Sequence, residues 1–258
     1  MKILITGASS GIGRDIARKA AMRYDRLVLV GRSRERLEAL RDELTTRFPV
    51  QVDVEVLDLS EQENCIRLFE KHKDVHLLVN NAGFGDTGCF DKTDLQRDTQ
   101  MIQTNIIALH TLMKLYLGEM KRRGRGHILN TASMAGYFPG PRMAVYYATK
   151  AYVISLTEAV REELRREHSP VRVSLLCPGP VSTGFGEAAR VDFKTGGFHV
   201  SSEYIASYAL SHLDRFRLIP TLPMKAAALA SHVVPRCVSA AILYRIQSRP
   251  KDPSSPGN

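Results

Sequence analysis

The sequence predicts an α/β protein, a doubly wound parallel sheet with helices on both faces, and three observations point to it. Short apolar runs alternate along the chain with longer segments of helical period. Runs such as Ile3-Leu4-Ile5 and Leu27-Val28-Leu29-Val30 are apolar on both faces, as strands covered from both sides require. The length of 258 residues, 44 % hydrophobic and 24 % charged, suits one such domain.

Strands are expected at 2–6, 27–30, 52–57, 77–80, 127–130 and 171–176, and helices at 11–24, 34–48, 61–72, 95–122 and 146–167. The first strand begins at once, which leaves no room for a secretion signal and predicts a cytoplasmic protein. Right-handed crossovers wind such a sheet in two directions and open its ligand crevice outside the carboxyl ends of the strands. Functional residues are therefore expected at strand ends. Periodicity fails after Pro178, where Pro178-Gly179-Pro180 and Thr195-Gly196-Gly197 punctuate a stretch read as a substrate loop at 184–200. A helix at 202–214, a short strand at 217–219 and an apolar segment at 224–246, broken at Pro235, follow. Residues 250–258 read as a disordered tail, so a single domain is expected over 1–249. The sequence has no internal repeat and no 18-residue uncharged apolar stretch that would span a membrane.

Thirty-six Lys and Arg against 27 Asp and Glu give a net charge of +9. Such an excess suits a nucleic acid, an anionic membrane surface or a phosphorylated small ligand. The basic clusters at 32–36, 121–125 and 165–166 are mostly interrupted or flanked by acids and lack aromatic stacking platforms, which argues against a nucleic-acid partner. Cys65, Cys89, Cys177 and Cys237 show no CxxC spacing and no neighbouring His cluster, which argues against a metal site and a disulfide framework.

Chemistry-bearing motifs stand at the strand ends. The first strand runs into Thr6-Gly7-Ala8-Ser9-Ser10-Gly11-Ile12-Gly13 and then directly into a helix. Glycines there permit a tight turn, and the helix N-terminus offers unpaired N–H groups, so Gly7, Ser9, Ser10, Gly11, Ile12 and Gly13 are expected to hold a pyrophosphate. After the second strand comes Val30-Gly31-Arg32-Ser33. An acid that would bind the ribose hydroxyls of NAD is missing, whereas Arg32 can fork onto a 2′-phosphate, which favours NADP(H). In Leu57-Asp58-Leu59 the carboxylate is placed to meet an adenine amino group, and Asn80-Asn81-Ala82-Gly83 lets a dinucleotide pass close to the backbone. Tyr146 and Lys150 lie four apart on an expected helix, on one face. A neighbouring ammonium lowers a phenol from its usual value near 10, which suits the two to acid-base work.

Together these motifs resemble the single-domain short-chain dehydrogenase/reductase family, over about residues 2 to 185. The resemblance rests on Thr6-Gly7-x3-Gly11-x-Gly13, Asp58, Asn80-Asn81-Ala82-Gly83, Asn105, Ser133, Tyr146-x3-Lys150 and Pro178-Gly179-x-Val181-x-Thr183. It implies a Rossmann-type fold and reduction of a carbonyl, or the reverse. By the resemblance Tyr146 is the general acid, Ser133 polarises the carbonyl, and Lys150 binds the nicotinamide ribose and depresses the Tyr146 pKa. Asn105 holds a relay water and Thr183 meets the carboxamide. Cofactor contacts are implied at Asp58, Leu59, Asn80, Ala82, Gly83, Tyr146, Lys150, Pro178, Gly179, Val181 and Thr183. A homodimer or homotetramer, paired through the helices at 95–122 and 146–167, is likewise a resemblance-based expectation.

The last third admits several readings. The segment 224–246 suits core packing or subunit contact, a substrate lid, or a membrane-surface helix. An apolar lid would favour a hydrophobic or acyl substrate. A non-catalytic NADP-binding sensor is the alternative function, since such a protein keeps the glycine turn without needing the Tyr146-Lys150 pair.

Overall fold

The protein is described by a computed structural model over residues 1–182 and 200–248. Seven parallel strands form its main sheet: β1 (Lys2–Thr6), β2 (Arg26–Gly31), β3 (Gln51–Val56), β4 (Leu77–Asn80), β5 (His127–Thr131), β6 (Arg172–Leu176) and β9 (Arg217–Leu218). Their order is β3-β2-β1-β4-β5-β6-β9. The chain therefore winds outward in one direction from β1, then returns and winds outward in the other from β4. The carboxyl ends of β1 and β4 flank the switch point, where such sheets bind ligands. The six long strands follow the sequence expectation, and the short stretch near 217 adds a seventh at the edge. A second pair, β7 (Val181–Ser182) beside β8 (Val200–Ser201), was not expected from sequence.

Alternation along each strand splits its side chains between two cores. Ile3, Ile5, Leu27 and Leu29 pack with Ile16 of α1 (Gly11–Ala20), Leu37 and Leu44 of α2 (Arg34–Arg47) and Ile205 of α7 (Ser202–Ser211). Leu4, Val28, Val30, Leu78 and Ile128 face the other way, onto Leu68 and Phe69 of α3 (Gln62–Lys71) and Leu112 and Tyr116 of α5 (Leu109–Arg123). Each fully buried Leu or Ile is worth about 1.5–3 kcal/mol, so both helical layers are held mainly by this apolar contact. Polar ends set the boundaries. The Ser33 hydroxyl accepts from the Arg36 N–H at 3.4 Å to open α2, and Gly124, at φ 68°, closes α5.

The single helix expected at 95–122 is divided. It runs as α4 (Leu95–Ile102), a π-helical segment (Gln103–Ala108) and α5. Within the π segment Asn105 is drawn onto the neighbouring loop: its Nδ2 donates to Phe84 O at 2.9 Å, and the Phe84 N–H donates to its Oδ1 at 3.0 Å. Such bulges favour functional sites, and sequence periodicity does not reveal them. The expected helix at 146–167 is α6 (Ala144–Arg166). The segment at 224–246 folds as α8 (Leu222–Ala230) and α9 (Arg236–Gln247), divided at Pro235 as expected. The substrate loop, apart from Val200, and the tail at 250–258 lie outside the described residues.

Candidate active site

The glycine turn is packed to the limit. A Cβ on Gly13 would stand 2.3 Å from Gly7 O, and one on Gly7 would stand 2.9 Å from Ala82 Cα. Gly7 takes φ 68° and Gly11 φ 52°, conformations that other residues adopt only with strain. Thr6 locks the switch point, since its Oγ1 accepts from the N–H groups of Asn81 and Ala82, each at 2.9 Å, while Asn81 Nδ2 donates to Thr6 O. The first turn of α1 carries no acid, and Ser10 makes no side-chain cap. Its leading N–H groups are thus left to an anion, and the absence of any Cβ at Gly7 and Gly13 lets a dinucleotide backbone approach. On that evidence the residues fit a nicotinamide dinucleotide. Ser9 lies close by, its Oγ 3.3 Å from where a Gly31 Cβ would be, so the end of β2 abuts the turn.

Arg32 follows there, exposed and without an ion pair among the described residues. Asp58 is exposed after β3, and its Oδ1 accepts from the Ser60 N–H at 2.9 Å. Leu59 turns into the core, so only its backbone is available to a ligand. The Asn80 side chain also points inward: Nδ2 donates to Asn130 Oδ1 at 3.0 Å, bridging β4 to β5.

The chemical end is assembled from four elements. Ser133, just after β5, is buried, and its hydroxyl hydrogen-bonds the phenol of Tyr146 on α6. Lys150, one turn further along α6, is buried too, with Nζ 5.8 Å from the centre of the Tyr146 ring and donating to Thr131 O at 3.0 Å. Asn105 comes in on the π segment and also donates to Thr149 Oγ1 at 3.0 Å. Gly83 closes the group, since a Cβ there would lie 2.8 Å from Asn105 Oδ1 and 3.5 Å from Lys150 Nζ. Pro178 is buried, and its carbonyl accepts from the Ser133 hydroxyl at 3.4 Å and from the Met134 N–H at 2.9 Å. Val181 begins β7, whereas Thr183 lies outside the described residues.

Electrostatics differ in one respect from the sequence expectation. Burial pushes the Tyr146 phenol up to about 12, the Ser133 hydrogen bond offsetting this in part, and burial brings Lys150 down to about 8. The expected lowering of Tyr146 by its ammonium neighbour is not found, because desolvation disfavours the charged form of both groups. A phenol kept protonated at neutral pH is a proton donor.

Tertiary contacts add residues that no motif marked. The Tyr147 hydroxyl, beside Tyr146, accepts from Gln247 Nε2 at 2.8 Å, tying α9 to the rim of the site across a hundred positions. Met224 of α8 lies over Gly179, where a Cβ would stand 2.4 Å from its Cε. Phe84, Met101 and Met143 give the surroundings of Tyr146 an apolar wall. Gln247 and Met224 carry no local signal.

A family model described as short chain dehydrogenase matches residues 1–192. The very-long-chain 3-oxoacyl-CoA reductase of Anas platyrhynchos is 31 % identical over 201 residues, 74 % of this chain and 62 % of that protein. The short-chain dehydrogenase from Sphingobium yanoikuyae in complex with NADPH superposes at TM-score 0.82 and 27 % identity, over 100 % of this chain and 98 % of its own. A short-chain dehydrogenase/reductase from Burkholderia phymatum in complex with NAD superposes at TM-score 0.79, also at 27 % identity, over 98 % and 97 %.

Proposed function

Because the chain belongs to the short-chain dehydrogenase family, a family of oxidoreductases, we propose that it uses NADP(H) to reduce a ketone or aldehyde to an alcohol, or catalyses the reverse. The observation that carries this reading is the Ser133 hydroxyl against the buried Tyr146 phenol, with Lys150 Nζ 5.8 Å from the ring centre. A nicotinamide cofactor, when bound, supplies or accepts the hydride. Ser133 hydrogen-bonds the carbonyl oxygen and favours the charge that develops on it. Tyr146, kept protonated by burial, gives that oxygen its phenolic proton. Lys150 orients the nicotinamide ribose, and Asn105, held by Phe84 and Thr149, fixes a relay water beside it. Pro178, Gly179 and Val181 would line the nicotinamide side.

Preference for NADP(H) over NAD(H) rests on Arg32, whose exposed guanidinium, without an ion pair among the described residues, follows Gly31 where an acid would serve NAD. A solved neighbour with NADPH and another with NAD stand at equal identity, so Arg32 carries this point alone. The apolar wall of Phe84, Met101 and Met143 supports a hydrophobic substrate, and likeness to a 3-oxoacyl-CoA reductase supports an acyl one.

The test is NADPH consumption, followed by absorbance, with ketones, aldehydes and 3-oxoacyl thioesters, wild type beside Tyr146→Phe. Loss of the phenolic proton should lower kcat by about 10²–10⁴-fold while NADPH still binds. Retention of most of the turnover in Tyr146→Phe would remove the general acid from this account.

A further inference from the structure

Helices α8 and α9 turn apolar stripes away from the protein. On α9 the inward side consists of buried Ser239 and half-buried Ala240, Leu243 and Gln247. Val238, Ile242 and Ile246, spaced by four, are about half exposed, at 46 %, 51 % and 53 %, and Ala241 is exposed between them. On α8, Met224 and Ala228 are buried, whereas Leu222 and Leu229 are 78 % and 72 % exposed, and Val233 just beyond is 80 % exposed. A helix that only covers a core carries its apolar stripe inward. Here each helix also carries apolar residues outward, and exposed apolar surface of this kind marks an interaction site.

Charge identifies the partner. From residue 215 to 248 the sequence has five cations, Arg215, Arg217, Lys225, Arg236 and Arg245, and no Asp or Glu. Lys225, Arg236 and Arg245 are exposed and make no ion pair among the described residues. A second copy docked on this face would bring like charges together, whereas an anionic bilayer supplies both the apolar layer and the counter-charge. None of the helices among the described residues is long and apolar enough to cross a membrane, so the contact would lie along the surface. We propose that α8 and α9 dock this protein onto an anionic lipid bilayer, with the outward stripes in the interfacial layer and Lys225, Arg236 and Arg245 at the headgroups. The Gln247 side chain, turned inward onto Tyr147, sets the rim of the candidate site beside that surface. The docking itself does not depend on which reaction the site performs.

The experiment is co-sedimentation of the full chain with vesicles of phosphatidylcholine alone and of equimolar phosphatidylcholine and phosphatidylglycerol, at low and high salt, with sedimentation velocity without lipid alongside. The expected result is pelleting with the anionic vesicles only, weakened by salt. Ile242→Asp should abolish it, and Arg245→Glu should lower partitioning about tenfold. Both positions are exposed, so circular dichroism should be unchanged. Equal pelleting with neutral vesicles, or none with anionic ones, overturns the proposal. So does a dimer that Ile242→Asp dissociates while no vesicle binds, which would give the stripes to a second copy.

Discussion

Arg32 lacks an ion pair among the described residues, and on the reading above its purpose is a 2′-phosphate. Arg32→Ala should therefore raise KM for NADPH about tenfold or more, since a charge-assisted fork is worth about 1.5–3 kcal/mol, and leave KM for NADH nearly unchanged. The KM ratio of the two cofactors, measured before and after, checks this; equal effects on both would assign Arg32 to general electrostatics. Single residues differ in how much the sequence says about them. Tyr146 and Lys150 declare themselves by a four-residue offset on one helix, because helical geometry turns that spacing into proximity. Their protonation does not, because it depends on burial by residues such as Phe84 and Met101, far away in sequence.

The glycine turn works as an element, and at Gly13 its tolerance is set by neighbours rather than by backbone conformation. Gly13 lies in ordinary helical backbone, yet a Cβ there would meet Gly7 O at 2.3 Å and Asn81 Nδ2 at 2.6 Å. Gly13→Ala should cost about 1–3 kcal/mol, as overpacking does, and should weaken cofactor binding by displacing the loop. Urea unfolding and a cofactor fluorescence titration measure the two effects. An unchanged urea midpoint would show that the loop yields freely. The π segment makes the complementary point. Apolar spacing over 95–122 reads as one helix, and the widened turn that delivers Asn105 is stabilised by bonds to Phe84 and Thr149, neither of which belongs to that segment. Helix and strand identities were legible from periodicity, whereas interruptions within a helix were not.

Across the whole molecule, the parallel sheet buries a titratable group that belongs to no site. His127 opens β5, with Nε2 2.9 Å from Ser174 Oγ on the adjacent β6, and burial, aided by Arg172, lowers it from 6.5 to about 4. Below 6.5 the unfolded chain binds a proton that the folded chain refuses, so stability falls as pH drops from 6.5 towards 4. The loss should approach about 3 kcal/mol at the lower end. His127→Gln should flatten that part of the curve, as read from urea unfolding at a series of pH values, and parallel curves for the two proteins would refute the assignment.

The order of strands and helices, the glycine turn at Gly7, Gly11 and Gly13, and the Tyr146-Lys150 pair were legible in the sequence, because each depends on spacings of a few residues that backbone geometry converts directly into structure. Only the packed molecule settled the pairing of the short strand near 217 at the sheet edge, the widening of the helix at Asn105, the reach of Gln247 to Tyr147, and the outward face of α8 and α9. These depend on which surfaces remain uncovered once distant segments have packed. No local pattern encodes that, because the free energy of burial belongs to pairs of surfaces rather than to either one.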